Sequence, residues 1–222
     1  MLACKRVLVS SMLVIGALWM TPALADQPLT ITNSNAHAVA CVVNANCAIV
    51  VTDSIGTFTL QGDGGTGRFI TRTGTGMLSA AAGFTKFMVY EYRVDLSAVV
   101  GTGNSVQPGV TANMCITQVS FPFIKEMRLS FRPGDMSDIF VETSGGIGSV
   151  GIASASYGYG LTVVFAQPIC PGASSFVFGY ASQSTTPLLM KGGASLVTSN
   201  IIKNGTHSGQ PAYADMRGPT FP

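Results

Sequence analysis

The sequence predicts an all-β protein, a single antiparallel β-sandwich of the jelly-roll or immunoglobulin-like kind with little helix. Short runs rich in Val, Ile, Phe, Tyr and Thr recur along the chain, which is typical of strands. Turns containing glycine separate these runs, and glycine makes up 26 of the 222 residues. Beyond residue 25, no segment repeats apolar residues at helical spacing for three turns. These observations favour one β domain at residues 26–203, long enough to bury a sizeable core.

The chain opens with a segment that has the features of a signal peptide. Lys5 and Arg6 precede an apolar run at 7–20, and Ala23-Leu24-Ala25 fits the small-residue cleavage pattern. The apolar run is too short for a comfortable membrane span. We therefore predict a signal peptide at residues 1–25, a mature chain that begins at Asp26, and secretion to the extracellular space or periplasm. We expect no membrane insertion after cleavage.

The predicted strands follow the β-branched and aromatic runs. In chain order they are 29–32, 39–43, 48–52, 56–60, 68–71, 86–95, 114–121, 127–132, 138–143, 161–166, 175–180 and 195–202. A glycine-rich loop at 145–160 is expected to lead into a short edge strand. Gly, Pro and polar residues dominate 204–222, which predicts a flexible C-terminal tail.

Two of these strands alternate clearly enough to predict their faces. In 86–95, we expect Met88, Tyr90, Tyr92 and Val94 to face the core, because alternate side chains of a strand share a face. The charged residues Glu91 and Arg93 then belong to a solvent face. In 127–132, the residues expected inside are Met127, Leu129 and Phe131, and those expected outside are Arg128 and Arg132.

Charge is sparse and balanced. Charged residues make up 10% of the chain, whereas about 25% is usual. Lys5 and Arg6 leave with the signal peptide, so the twelve basic residues fall to ten against ten acidic ones. This balance argues against a nucleic-acid partner, because nucleic-acid-binding proteins cluster Lys and Arg. A surface of Ser, Thr, Asn, Gln and Gly suits a protein that associates with itself or with extracellular polysaccharide.

Four cysteines follow the signal peptide, and their even number in an exported chain predicts disulfides. Three pairings are possible. We predict Cys41–Cys47, across a turn that would staple a hairpin, and Cys115–Cys170, which closes a loop of about 55 residues worth about 4 kcal/mol. The alternative is a metal site, but these spacings lack the close cysteine pairs of zinc sites.

Motifs for catalysis are weak. Two stretches fit G-x-G-x-x-G, at 62–67 and 146–151, but neither precedes a predicted helix, so both are interpreted as turns. His37 and His207 lie in polar segments and are expected on the surface. Glu91 and Asp95 share a strand face about 13 Å apart. That separation is too wide for a glycosidase pair unless a neighbouring strand supplies the second acid, and a surface charge ladder is the simpler interpretation.

Two loops are candidate binding sites. Asp135 and Asp138 in 132–138 carry carboxylates that would bind Ca²⁺ together with loop carbonyls. Asp53 and Asp63 are weaker candidates, and no other cofactor is expected. Tyr157 and Tyr159 stand among glycines, where their rings would stack on sugars or contact a partner. The alternative for both tyrosines is that they close one end of the core.

Several segments resemble exported bacterial β-proteins of the exosortase-sorted (PEP-CTERM) type. They are 92–96 (YRVDL), 138–146 (DIFVETSGG), 168–172 (PICPG), 175–179 (SFVFG) and Ser182. The resemblance implies export and a β fold more than an activity. The sorting tail of such proteins has a Pro-Glu-Pro motif, an apolar span and a basic end, none of which is found before Phe221-Pro222. We therefore expect a member that is released or held by a partner.

Together these features predict a secreted, non-catalytic structural protein of the cell surface or extracellular matrix. A carbohydrate- or partner-binding module that uses Tyr157 and Tyr159 is the first alternative. A hydrolase that uses carboxylates is the second.

Overall fold

The computed structural model describes residues 26–43, 47, 51–60, 62–76, 87–102, 112–122, 137–158, 160–182, 189–191, 195–202, 205–208 and 217–219. The predicted signal peptide and the predicted strand at 127–132, with the faces assigned to its residues, lie outside these ranges.

The described elements are almost all strands. They are β1 (Gln27–Pro28), β2 (Ile31–Asn35), α1 (Ala36–Val43), β3 (Val51–Phe58), β4 (Gly64–Gly65), β5 (Gly67–Gly76), β6 (Phe87–Asp95), β7 (Val99–Val100), β8 (Ala112–Pro122), β9 (Ile139–Ser144), β10 (Ile152–Tyr157), β11 (Gly160–Ile169), β12 (Phe178–Ser182), β13 (Leu189–Lys191), β14 (Ser195–Ile202), β15 (Gly205–Ser208) and β16 (Arg217–Pro219). The all-β prediction is confirmed. Two of these strands, β15 and β16, fall in the segment expected to be a tail.

The strands form two large sheets and two small ones. The first sheet has the order β1-β10-β11-β8-β14-β15, and the second has the order β2-β9-β12-β6-β5-β3. Neighbouring strands in both sheets are antiparallel, except that β2 and β9 run parallel. The pairs β4–β7 and β13–β16 each form a two-stranded sheet.

Side chains from both large sheets build one hydrophobic core. Tyr92 of β6 and Phe121 of β8 have ring centroids 4.4 Å apart, so their strands face each other across the core. Phe165 of β11 and Phe178 of β12 make an edge-to-face contact at 5.9 Å. The predicted core face of β6 is confirmed, because its alternate residues are buried: Met88, Tyr90, Tyr92 and Val94.

The outer face of β6 corrects the prediction of a solvent face. Phe87, Val89 and Glu91 are buried there too, so the expectation that Glu91 is wet was wrong. Part of this face is covered by α1, which packs against β2, β5 and β9 of the second sheet. Val39 of α1 is buried but lies outside the core that the sheets share, as does Phe87. Alternation shows which side chains share a face but does not show what covers that face.

The strand predicted at 39–43 was also wrong, because these residues belong to α1. Asn35 caps the helix: its side-chain Oδ1 accepts a hydrogen bond from the Ala38 backbone N–H at 2.6 Å. Such a cap satisfies one of the backbone donors that a helix start leaves free. The β-branched residues at the end of the segment favour a strand, but the cap and three alanines favour a helix.

Both predicted cysteine pairs are confirmed. The Cα atoms lie 3.9 Å apart in Cys41–Cys47 and 4.3 Å apart in Cys115–Cys170. The second pair joins β8 to the residue that follows β11, within one sheet. The first pair joins α1 to the segment after it, so the expected hairpin at this pair was wrong. Two disulfides indicate an oxidising environment. In the part of the chain that the structure describes, no helix is long and apolar enough to cross a membrane.

Candidate functional site

A row of charged residues crosses the outer face of the second sheet. The strand register places Asp53 of β3 opposite Arg72 of β5, and Arg72 opposite Glu91 of β6. Residues that are opposite each other in antiparallel strands point to the same face with neighbouring side chains. The three residues therefore meet although 19 positions separate each from the next along the chain.

Arg72 is shared between the two acids, but unequally. Its Nε and Nη2 donate to the two carboxylate oxygens of Asp53 at 2.8 Å and 3.1 Å. Its Nη1 lies 3.8 Å from Glu91 Oε2, which is an ion-pair distance without a hydrogen bond. The hydrogen bond from Arg72 lowers the pKa of Asp53 below its ordinary value, and the same bond raises the pKa of Arg72.

Glu91 is the most perturbed group in this row. The residue is only 3% exposed, and its Oε1 has no hydrogen-bond partner among the described residues. Burial raises the pKa of Glu91 to about 7, helped by the nearby charge of Glu142 and opposed by Arg72. Burial also raises the pKa of Glu142, which belongs to β9. Glu91 thus takes up a proton near neutral pH, far above the usual range for a carboxyl group.

Arg93 extends the charged surface along β6. Its side chain is 16% exposed, and its Nη2 donates to Ser174 Oγ at 3.1 Å and lies 3.6 Å from Asp95 Oδ2. Its Nε is buried and has no hydrogen-bond partner among the described residues. Asp95 also accepts a hydrogen bond from the Ser97 backbone N–H at 3.0 Å. Burial opposes ionisation of Asp95, but this bond and the charge of Arg93 bring its pKa below the ordinary value.

These groups line an open cavity of about 130 Å³, here called the Glu91 groove. Its charged walls are Asp53, Arg72, Glu91 and Arg93, and its apolar walls are Ile55, Ile70, Ile147 and Val177, with Tyr92 beneath. Two of the apolar residues are well exposed, Ile55 at 57% and Ile147 at 65%. The groove therefore combines charged and aliphatic side chains in one lining.

The β9–β10 loop brings Ile147 to the groove. Gly148, the next residue, has φ of 123°, a conformation that L side chains rarely adopt. A Cβ atom at this position would also collide with the Ser175 carbonyl group. Glycine at 148 thus lets the loop pack tightly against residue 175.

The glycine motifs were predicted to be turns, and the first is instead partly strand. The first contains β4 and leads into β5, and the second lies in the β9–β10 loop and leads into β10. A dinucleotide site needs a helix after the glycines, so neither stretch has the required context.

The predicted calcium and tyrosine sites are only partly described. Asp138 Oδ2 accepts hydrogen bonds from the Thr30 backbone N–H at 2.8 Å and from Thr30 Oγ1 at 2.6 Å, which ties the residue before β9 to the residue before β2. Asp135 and Tyr159 lie outside the described residues. Tyr157 is half-buried on β10 and packs against the core. Both sites stay predictions.

Two of the weaker candidates have structural partners. Asp63 accepts hydrogen bonds from the backbone N–H groups of Thr102 at 3.2 Å and Met114 at 3.0 Å, so both its oxygens are engaged. His37 is exposed on α1, and its Nε2 lies 3.4 Å from Cys41 Sγ. The His37 ring nitrogen and the Sγ atoms of Cys41 and Cys47 lie within 4.8 Å of one another, which is close enough for metal ligands. The two sulfur atoms, however, are bonded to each other in the disulfide. His207 belongs to β15.

Sequence reasoning found Glu91 but neither its burial nor its partners. Glu91 shares a strand face with Asp95, and a closer acid had to come from a neighbouring strand. The structure supplies Asp53 and Glu142 from β3 and β9. In the sequence, Asp53 and Glu142 are recognisable only as charged residues in or beside other predicted strands. Such a residue does not show which strands are neighbours in the sheet.

Comparison with protein-family models found no match, and comparisons with characterised proteins and with solved structures found none either.

Proposed function

We propose that this chain is an exported, non-catalytic protein of the bacterial surface or extracellular matrix that acts by binding at the Glu91 groove. Its two large sheets are proposed to form a single β-sandwich of the jelly-roll or immunoglobulin-like kind. One observation carries the proposal: Glu91 is buried at the wall of an open groove with one carboxylate oxygen unbonded among the described residues. A buried polar atom without a partner is costly, so a ligand that bonds to it gains free energy.

The groove supports binding better than catalysis. Among the residues that line it, none offers a thiol, an imidazole or a free aliphatic hydroxyl group. A glycosidase needs two carboxyl groups on either side of one bond. Asp53 is held by Arg72, and Glu142 does not line the groove. One observation favours the hydrolase alternative: a pKa near 7 suits a general acid.

Location is proposed from the whole chain. The predicted signal peptide, the oxidised cysteine pairs and the resemblance to exosortase-sorted proteins all favour an exported bacterial protein. Charged residues are sparse in this chain. A sparsely charged surface favours self-association or contact with extracellular polysaccharide over a crowded cytosolic environment. The alternative site is at Tyr157 and Tyr159, which would bind carbohydrate or a partner.

Ligand-observed NMR with a panel of monosaccharides, amino acids and small amines tests the proposal on the oxidised full chain. We expect at least one compound to bind the wild type and to lose binding in Glu91→Gln but not in Tyr157→Ala. Loss only in Tyr157→Ala would move the site to the tyrosines. No binding by any compound would contradict the proposal. Turnover of p-nitrophenyl glycosides that Glu91→Gln abolishes would support the hydrolase instead.

A further inference from the structure

Two residues that line the Glu91 groove carry unsatisfied atoms of opposite character. Glu91 Oε1 accepts hydrogen bonds, Arg93 Nε–H donates one, and both atoms are buried without a partner among the described residues. They belong to alternate residues of β6, so their side chains leave the strand on one face about 7 Å apart. A ligand that satisfies both atoms must present a donor at one end and an acceptor at the other.

The lining charges balance. Above the Glu91 pKa of about 7, where Glu91 is ionised, two carboxylates and two arginines line the groove, so a ligand without net charge meets the smallest electrostatic penalty. A simple cation would meet Arg72 and Arg93, and a simple anion would meet Asp53 and Glu91. A zwitterion places each of its charges beside the opposite one, with the ammonium at Glu91 and the carboxylate at Arg93.

The walls distinguish a zwitterion from a sugar. All four apolar residues of the groove are aliphatic, and Tyr92, the aromatic residue in the lining, is only 1% exposed. A sugar ring therefore finds no exposed aromatic face on which to stack among these lining residues. A branched aliphatic side chain would pack well between Ile55, Ile70 and Ile147, which gain by its burial.

We infer that the Glu91 groove binds an α-amino acid with an aliphatic side chain, through Glu91 for its ammonium group and Arg93 for its carboxylate. This assignment rests on the proposed binding function and gives it a ligand class. An α-amino acid can make a hydrogen bond of about 2.9 Å at its ammonium group and another at its carboxylate. The length of the amino acid together with these two bonds is of the same order as the distance between the Glu91 and Arg93 side chains where they leave β6. The volume of about 130 Å³ is large enough for one such molecule.

Calorimetric titration of the oxidised full chain with four probes tests the assignment. L-valine carries both charged groups, isobutylamine lacks the carboxylate, 3-methylbutanoate lacks the ammonium, and glucose supplies hydroxyl groups only. We expect L-valine to bind at least ten-fold more tightly than each of the other three. We also expect Glu91→Gln to weaken L-valine binding at least ten-fold. Arg68→Gln, on the same sheet face but outside the groove, should leave it unchanged.

The outcomes separate the ligand class from the binding function. If glucose or isobutylamine binds and L-valine does not, with Glu91→Gln abolishing that binding, the zwitterion assignment is wrong and the groove remains a binding site. If none of the four probes binds the wild type, the assignment is overturned, and the wider panel then decides the proposed function. The probe comparison uses wild-type protein, so it holds even if a variant fails to fold.

Discussion

Replacing Glu91 by glutamine should change how stability depends on pH. The carboxyl group has an ordinary pKa of 4.5 and a folded-state pKa of about 7, because it is buried beside Glu142. A proton is therefore held more tightly by the folded than by the unfolded chain between these values. The stability that Glu91 contributes is complete below pH 4.5 and is lost as pH rises through about 7. An amide side chain does not titrate in this range, so Glu91→Gln removes this dependence.

The size of the effect follows from the pKa difference. One pKa unit corresponds to about 1.4 kcal/mol, so the shift of Glu91 corresponds to about 3 kcal/mol. Solvent does not screen this group appreciably, because it is only 3% exposed. From pH 4.5 to about pH 8, the wild type should thus lose about 3 kcal/mol of unfolding free energy relative to Glu91→Gln.

Urea unfolding of both proteins, followed by circular dichroism or tyrosine fluorescence at half-unit pH steps from about 4.5 to about 8.5, measures this difference. Asp53→Asn is the matched control, because the pKa of Asp53 is lowered and its contribution has the opposite sign. The contribution of Asp53 is lost only as pH falls below its ordinary pKa of 3.8, so the stability difference between wild type and Asp53→Asn should stay nearly constant across this range. The reasoning is refuted if the difference in unfolding free energy between wild type and Glu91→Gln stays constant within about 0.5 kcal/mol across the pH range. That tolerance is about the deviation from additivity seen for distant mutations.

Three further predictions concern the fold and its processing. Removing the Cys115–Cys170 disulfide with a double alanine variant should lower the free energy of unfolding by about 4 kcal/mol, and removing Cys41–Cys47 should lower it by about 2 kcal/mol. The unfolded chain gains more entropy when the longer loop is opened. Equal decreases in the urea midpoints of the two variants would contradict this. Gly179→Ala should destabilise the protein by about 1–3 kcal/mol, since its Cβ would collide with the Tyr90 carbonyl and the Phe140 ring, whereas Gly151→Ala, in open space, should be nearly neutral; thermal unfolding compares them. Intact-mass measurement of exported protein should give a mature chain that begins at Asp26 or within about two residues of it, and a mass that retains residues 1–25 would exclude cleavage.

Local pattern was enough for the β class, the cysteine pairs and one face of β6. Alternation in 86–95 predicted that Tyr90 and Tyr92 face the core, and the structure confirms it. This works because period two is a local property of an extended backbone. The even cysteine count and the short spacing of Cys41 and Cys47 likewise needed no tertiary information.

The same local pattern failed where a competing local signal or a distant element decided the outcome. Val39 belongs to a helix because the Asn35 cap outweighs the β-branched end of the segment. Glu91 is buried although its strand pattern predicts a wet face, because side chains of neighbouring strands, such as Arg72 of β5, lie beside it on that face.

The sequence by itself thus determined what kind of strands this chain forms and which side chains share a face. Tertiary structure alone decided the Glu91 groove, because Asp53, Arg72 and Glu91 become neighbours only through the register of β3, β5 and β6. Register between separate strands depends on the total free energy of packing two faces together, not on any one segment. The pKa of Glu91 has the same origin, since burial and the field of distant residues are set only when the sheet is assembled.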